Sequence, residues 1–192
     1  MSLLSPEKPF DFVKWFETEL HTELRRDPSV SRGGQETEIN RDWKIALCRP
    51  SGIVLDTAIA DFRKFMHRSM GVPIGDPAIT PERSLAENAI TIYVDPNPAT
   101  NPEVKPDGYR IKIAEDAIRV DAVNERGAMY ALYHLEELMG LRRAPYLRQG
   151  EIVRNPQFEV RVLRSYYSIY HDELGHPRDG YPEPYLARLS HQ

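Results

Sequence analysis

The residues best suited to chemistry lie late in this 192-residue chain. Arg161 and Arg164 fall in FEVRVLRSY, and Tyr166, Tyr167 and Tyr170 follow closely. A guanidinium forks hydroxyls or carboxylates in a fixed geometry, and a tyrosine offers a flat apolar face with a polar tip. Sugar sites use both. If this stretch opens a β/α barrel, its C-terminal end and the loop after it line the active face. From spacing alone, a surface arginine beside ordinary aromatic packing is the favoured reading.

Other clusters point less clearly to a site. His171 and His176 sit in HDELGH, five apart with a glycine between them. Metal-binding histidines on one helical turn need a spacing of three or four, so a solvated loop is the better reading. Glu136–Glu137 resembles a carboxylate pair but falls on the polar side of a helix, where a solvated face is expected. His134 and Tyr133 flank the same stripe and read as packing or surface residues. RGGQ lacks the Lys-Ser/Thr of a phosphate loop. No strand–G-x-S-x-G–helix context supports a serine nucleophile.

The element that organises the chain is Gly108 to Met139. Tyr109, Ile111 and Ile113 alternate with Arg110 and Lys112, and Ile118, Val120 and Ala122 alternate with Arg119 and Asp121. Period 2 gives each strand one apolar face. A two-residue turn at Glu115–Asp116 pairs Ile113 with Ile118, Ile111 with Val120 and Tyr109 with Ala122, all on one side. Asn124 then caps a helix whose stripe is Ala128, Ala131, Leu132, Leu135, Leu138 and Met139, with Gly140 as the stop.

Upstream, Asp11 to Arg26 reads as a helix with Val13, Phe16, Leu20 and Leu24 in its stripe. Ser29 to Asn40 reads as a loop and Trp43 to Cys48 as a short strand. Asp56 is the expected cap of a helix reaching about Met70, striped by Ile59, Phe62, Phe65 or Met66, and Met70, and stopped by Gly71. Val72 to Glu87 reads as irregular, Ala89 to Val94 as a strand, and the proline-rich Asp95 to Asp107 as a loop. Downstream, Phe158 to Tyr166 is a strand candidate. After a polar loop, Pro184 opens a short helix.

The expected fold class is α+β: a two-layer sandwich of about four mainly antiparallel strands with helices on one face. The first strand–loop–helix of a truncated β/α barrel is expected to follow it. The domain reading is 1–40, an N-terminal helix and loop; 41–148, the accessory α/β domain; and 149–192, the start of the barrel.

Composition narrows the function. A net charge of −4 with mixed signs lacks the basic face of a nucleic-acid binder. The single cysteine, Cys48, forms no internal disulfide and no multi-cysteine metal site, and reads as buried packing. No stretch approaches the ~18–20 apolar residues of a membrane span. The first residues, MSLLSPEKPFDF, lack a basic n-region and an apolar h-region. As read, the chain is expected in the cytoplasm; removal of a leader would make it periplasmic or secreted.

GYRIKIAEDAIRVDAVNERGAMYALYHLEELM resembles the end of the small α/β domain that precedes the catalytic barrel in family-20 glycoside hydrolases, the β-N-acetylhexosaminidases. The same domain type precedes the barrel of α-glucuronidases. The family pattern of a hairpin, an Asn or Asp, a G-x-x-Y/F-A/G core and an amphipathic helix matches Asn124, Gly127, Tyr130 and Ala131. RNPQFEVRVL resembles the lead into the first barrel strand, R-x-P-x-F-x-x-R. On that match Arg161 takes the place of the arginine that holds sugar hydroxyls. The resemblance covers roughly Trp43 to Leu163. It departs at Val162, where glycine is usual, and in lacking an acidic residue a few positions later.

The resemblance implies a hydrolase parent whose Asp–Glu pair, with the substrate's acetamido group as nucleophile, lies beyond Gln192. The chain itself is then expected to hold no catalytic residue, cofactor or metal, with Arg161 as its one substrate-binding residue. Its partners would be its own catalytic barrel and the parent's carbohydrate substrate. Its role would be structural, packing on the barrel and shielding apolar barrel surface. The alternatives are an α-glucuronidase-type parent and, from another class, a free-standing carbohydrate- or protein-binding module.

Overall fold

The computed structural model describes residues 20–80, 87–97, 99–158, 170–171 and 177–178. The chain divides into two compact units, Met1–Pro156 and Gln157–Gln192. The first unit carries β1 (Glu36–Glu38), β2 (Lys44–Leu47), α1 (Ile53–Lys64), a π-helical turn (Phe65–Ser69), β3 (Ala78–Ile79) and β4 (Ala89–Val94). It continues with β5 (Tyr109–Ile113), β6 (Ala117–Ala122), α2 (Glu125–Arg142), β7 (Tyr146–Arg148) and β8 (Gly150–Arg154). In the second, β9 (Tyr170–His171) and β10 (Pro177–Arg178) form an antiparallel pair.

The hairpin adopts the register that alternation requires. Tyr109 pairs with Ala122, Ile111 with Val120, and Ile113 with Ile118. Ala114 N donates to Ala117 O at 2.9 Å around Glu115–Asp116. A slip of one residue would turn every one of these apolar side chains to the other face. The register extends across the sheet as two apolar rows. One runs Ile45, Ile90, Ile118, Ile113; the other runs Leu47, Ile92, Val120, Ile111, Ile152. Ala128, Ala131, Leu132, Leu135 and Met139 of α2 share their core and are fully buried, with Leu138 partly so. Leu55, Ala58, Ile59 and Phe62 of α1 join it. Full burial of each large aliphatic side chain contributes roughly 1.5–3 kcal/mol.

The sheet departs from expectation in size and sense. It has six strands in the order β3-β2-β4-β6-β5-β8. It is mixed rather than mainly antiparallel: β2 runs parallel to β3 and β4, and β4 to β6, while β5 is antiparallel to β6 and β8. The cause is connectivity. β2 reaches β4 by way of α1, and a crossover of that kind returns the chain in the same direction, whereas only a tight turn reverses it. β1, β3, β7 and β8 are strands that the sequence pattern does not predict; they are short, or run through polar stretches that show no alternation. The face opposite the helices is not open throughout, because Ala46, Thr91, Tyr93 and Asp121 are buried there.

The helix ends also differ from expectation. Gly52, not Asp56, is the N-cap of α1, and it makes no side-chain cap bond. The Glu125 carboxylate accepts from the Gly52 N–H, so one acid serves the first turn of α2 and the start of α1. α1 runs on through the π-turn to Met70, and Gly71 follows with φ +69. Gly140 does not stop α2; a single glycine costs a helix only about 1 kcal/mol. The helix continues to Arg142 and ends on Arg143 in the left-handed region, φ 57. Arg142 clasps Glu36 of β1 at 2.8 Å, and its guanidinium holds the Glu36 carboxyl below the usual range.

Of the expected helix Asp11 to Arg26, residues 11–19 lie outside the described residues. Residues 20–26 are not helical. They form a strap: Arg25 N and Arg26 N donate to Ser69 O at 2.8 and 3.0 Å, and Asp27 N donates to Arg143 O at 2.8 Å. Leu20 and Leu24, expected on a buried stripe, are exposed.

Candidate functional site

Among the described residues of the first unit, three clusters of polar side chains bear on a possible site. The first is the corner where the hairpin meets α2. Asn124 Oδ1 accepts from Gly127 N at 2.9 Å, and Asn124 Nδ2 donates to Asp107 Oδ1 at 2.8 Å. One side chain thereby caps the helix and holds the loop that enters β5. A Cβ at Gly127 would stand 2.2 Å from Gly108 O, so the backbones approach where no side chain fits. A Cβ at Gly108 would meet Asn155 Oδ1 at 2.3 Å. Asn155 Oδ1 accepts from Lys105 N, and Asn155 Nδ2 donates to Glu103 O, both at 2.8 Å. The last residues of the unit are thus tied to the loop before β5.

The second place is a cleft on the outer side of α2, lined by His21, Arg25, Phe65, Tyr133, Glu136 and Glu137. Glu137 is exposed, as a solvated face requires. Glu136 is not: its side chain is 12% exposed. Burial, with the Asp61 charge beside it, pushes its carboxyl up to about 8, and Arg25 opposes the shift. His21 Nε2 lies 3.3 Å from Asp61 Oδ1 and 3.8 Å from Glu136 Oε2. The strap lays His21 over the two helices, and the Phe65 ring meets the imidazole edge-on at 5.4 Å. An imidazole and two carboxylates that converge in this way can share a proton or hold a cation. His134 has a packing role, with its Nδ1 2.9 Å from Tyr109 Oη. Burial lowers its pKa.

The third place is the sheet face away from the helices. Arg119 Nε reaches both Asp121 oxygens at 2.9 Å, and its guanidinium lies 4.3 Å from the Tyr93 ring centroid. Burial first, then a hydrogen bond with Cys48, pushes the Tyr93 phenol up to about 12. Cys48 is half-buried rather than buried, with its thiol free of any disulfide. The Arg119 guanidinium is thus held by Asp121 of its own strand and lies over Tyr93 of the adjoining strand.

Arg161, Arg164, Tyr166, Tyr167 and His176 lie outside the described residues, as does the expected strand beyond Phe158. Tyr170 and His171 form β9, opposite Arg178 and Pro177. The residue that spacing undervalued is Glu136. Its distance from Glu137 in the sequence is one, yet their surroundings are opposite, and no local pattern records the strap that covers only one of them.

A sheet of mixed sense with two helices on one face, entered by a hairpin–Asn–Gly–helix corner, defines a small α+β domain. The chain belongs to glycosyl hydrolase family 20, domain 2, whose family model matches residues 13–153. Among solved structures, it is similar to the Streptomyces plicatus N-acetyl-β-hexosaminidase in complex with Thio-NAglucal, with TM-score 0.51 and 15% identity over 74% of this chain. A mutant of the Streptomyces plicatus β-hexosaminidase in complex with its product GlcNAc gives TM-score 0.50 and 17% identity over the same 74%. The likeness lies in the fold. In both cases the match spans only 28% of the other chain. No curated protein sequence matches the chain.

Proposed function

We propose that this chain is the non-catalytic accessory domain of a family-20 glycoside hydrolase, that it supports a catalytic barrel, and that the second unit, from Gln157, begins that barrel. The observation that carries the reading is the domain-2 match across residues 13–153, together with the corner that explains it physically. Gly127 is required by the approach of Gly108, and Asn155 pins the chain just before the second unit begins at Gln157. A rigid exit of this kind suits a domain that delivers the chain to a following barrel.

On this reading the parent acts on β-N-acetylhexosaminides, its catalytic acid pair lies outside this chain, and Arg161 donates to sugar hydroxyls next to the scissile bond. A charge-assisted hydrogen bond in a water-poor pocket contributes on the order of 1.5–3 kcal/mol. Arg161→Ala in an intact parent should therefore lower kcat/KM by roughly ten- to a hundredfold, with little change in Tm. The purified 192-residue chain should not turn over 4-nitrophenyl N-acetylglucosaminide. Turnover by the chain that a substitution within residues 20–156 abolishes would overturn the non-catalytic role. Full activity of the Arg161→Ala parent would remove the sugar-binding assignment.

A further inference from the structure

We propose that His21, Asp61 and Glu136 form a site for one divalent cation of zinc type, which clamps the strap of residues 20–26 onto α1 and α2. This rests on the cleft and not on the glycosidase reading. Among the described residues, these three alone place a ligand atom each within 4.8 Å of the others in a group of three or more His, Cys, Asp and Glu side chains. They come from three separate segments, the strap, α1 and α2. The distances from His21 Nε2, 3.3 and 3.8 Å, fit the edges of a tetrahedron. Metal–ligand bonds of about 2.1 Å give edges of roughly 3.4 Å.

The second observation is the state of the histidine. His21 is 8% exposed, yet its Nδ1 has no hydrogen-bond partner, its Nε2 meets the two carboxylates only at ion-pair distance without a hydrogen bond, and Glu136 Oε1 has no hydrogen-bond partner. Buried polar atoms are almost always satisfied, and such a set calls for an occupant. The Phe65 ring packs edge-on against the imidazole, the bonds of Arg25 and Arg26 to Ser69 O hold the strap, and His21 Nε2 faces the two carboxylates.

The ligand chemistry selects the ion. One imidazole nitrogen and two carboxylates suit zinc, whereas calcium and magnesium favour all-oxygen sets. Two close carboxylates repel, and a divalent charge between them removes that repulsion. Arg25, Tyr133 and Glu137 also line the cleft. Arg25 partly offsets the acids but has no electron pair to offer a metal. The open side of the cleft leaves room for water to complete four-coordination.

The test uses the whole 192-residue chain, freed of metal with a chelator and titrated with zinc chloride by isothermal calorimetry. One equivalent should bind. At zinc a hundredfold above Kd, Tm should rise by about 5–10 °C. Asp61→Asn and Glu136→Gln are nearly isosteric and keep the fold, which circular dichroism checks; each should weaken binding about tenfold or more. Cys48→Ser should bind as wild type does. Magnesium or calcium at the same concentration should leave Tm unchanged. A folded wild type that binds no zinc would overturn the proposal, leaving the cluster as a packing contact of the strap on the two helices. So would zinc binding that survives both carboxylate substitutions, which would place the metal elsewhere, for example at the HDELGH histidines.

Discussion

Adding one methyl group to α2 should have opposite effects at two glycines. At Gly140 a Cβ would meet nothing within 4 Å, so Gly140→Ala changes only helix propensity. The gain is up to about 1 kcal/mol. In a chain of this size that raises Tm by roughly 2–4 °C. At Gly127 the same propensity gain is opposed by the Gly108 carbonyl, 2.2 Å from the new carbon, where real contacts do not fall below 3.0 Å. Gly108 is itself tightly surrounded, since a Cβ added to it would meet Asn155 Oδ1, Arg154 O and Lys105 O within 3 Å, which opposes its withdrawal. Overpacking of this kind costs about 3 kcal/mol at the upper end of the usual range. Subtracting the propensity gain leaves a net loss of about 2 kcal/mol, or a Tm lower by roughly 4–8 °C. The two sites are 13 residues apart along α2 and share no partner, so the double variant should show the sum. Differential scanning calorimetry of the four proteins measures this directly. A Gly127→Ala variant that melts at or above wild type would show that the hairpin and helix do not meet as described.

Leu132 is fully buried between helix and sheet, so Leu132→Asp should unfold the unit by leaving an unpaired charge in the core; a cooperative melt within about a degree of wild type would refute the packing. Asn124→Ala removes the helix cap and one hydrogen bond to Asp107, and should cost about 1–2 kcal/mol, read as a shift of the urea midpoint at unchanged m-value. Glu136 gives a pH signature. Its folded pKa of about 8 lies above its ordinary 4.5, so the folded state holds the proton more tightly than the unfolded state does. Stability from this group is therefore full below 4.5 and is lost as pH rises through about 8. With chelator present, wild type should lose stability across that window relative to Glu136→Gln, and parallel Tm profiles for the two proteins would contradict the burial.

The hairpin and α2 were legible because their information is local. Alternation sets which face of β5 and β6 is buried, and Glu115–Asp116 leaves one register that keeps all three apolar pairs together. Asn124 caps by reaching only to Gly127. The sense of the sheet was not legible in the same way. Whether Ala89–Val94 runs with or against Lys44–Leu47 depends on the path of α1 between them, and alternation is identical in both directions. Short strands such as Ala78–Ile79 have too few residues for a period to appear. Residues 20–26 misled for a related reason. Leu20 and Leu24 have helical spacing, but both point to solvent, and the segment is held by backbone bonds to Ser69 that its own side chains do not encode.

The cleft is hidden from the sequence for the same reason. Its three polar groups are at positions 21, 61 and 136, so no spacing rule links them. Each is ordinary in its own segment: a histidine in a polar run, an aspartate on a helix, and a glutamate beside another glutamate. Once the strap is a strap, its single histidine falls against the two helices and Glu136 loses its solvent while Glu137 keeps it. A protein that needed only a strap over α1 and α2 could have used an apolar residue at position 21, as it does at Phe65 beside it. Placing an imidazole there, against two acids that disfavour each other's charge, gives up the apolar packing that a second ring like Phe65 would supply. That cost is what makes the cluster a candidate for function rather than packing, and zinc titration measures whether a cation is what it holds.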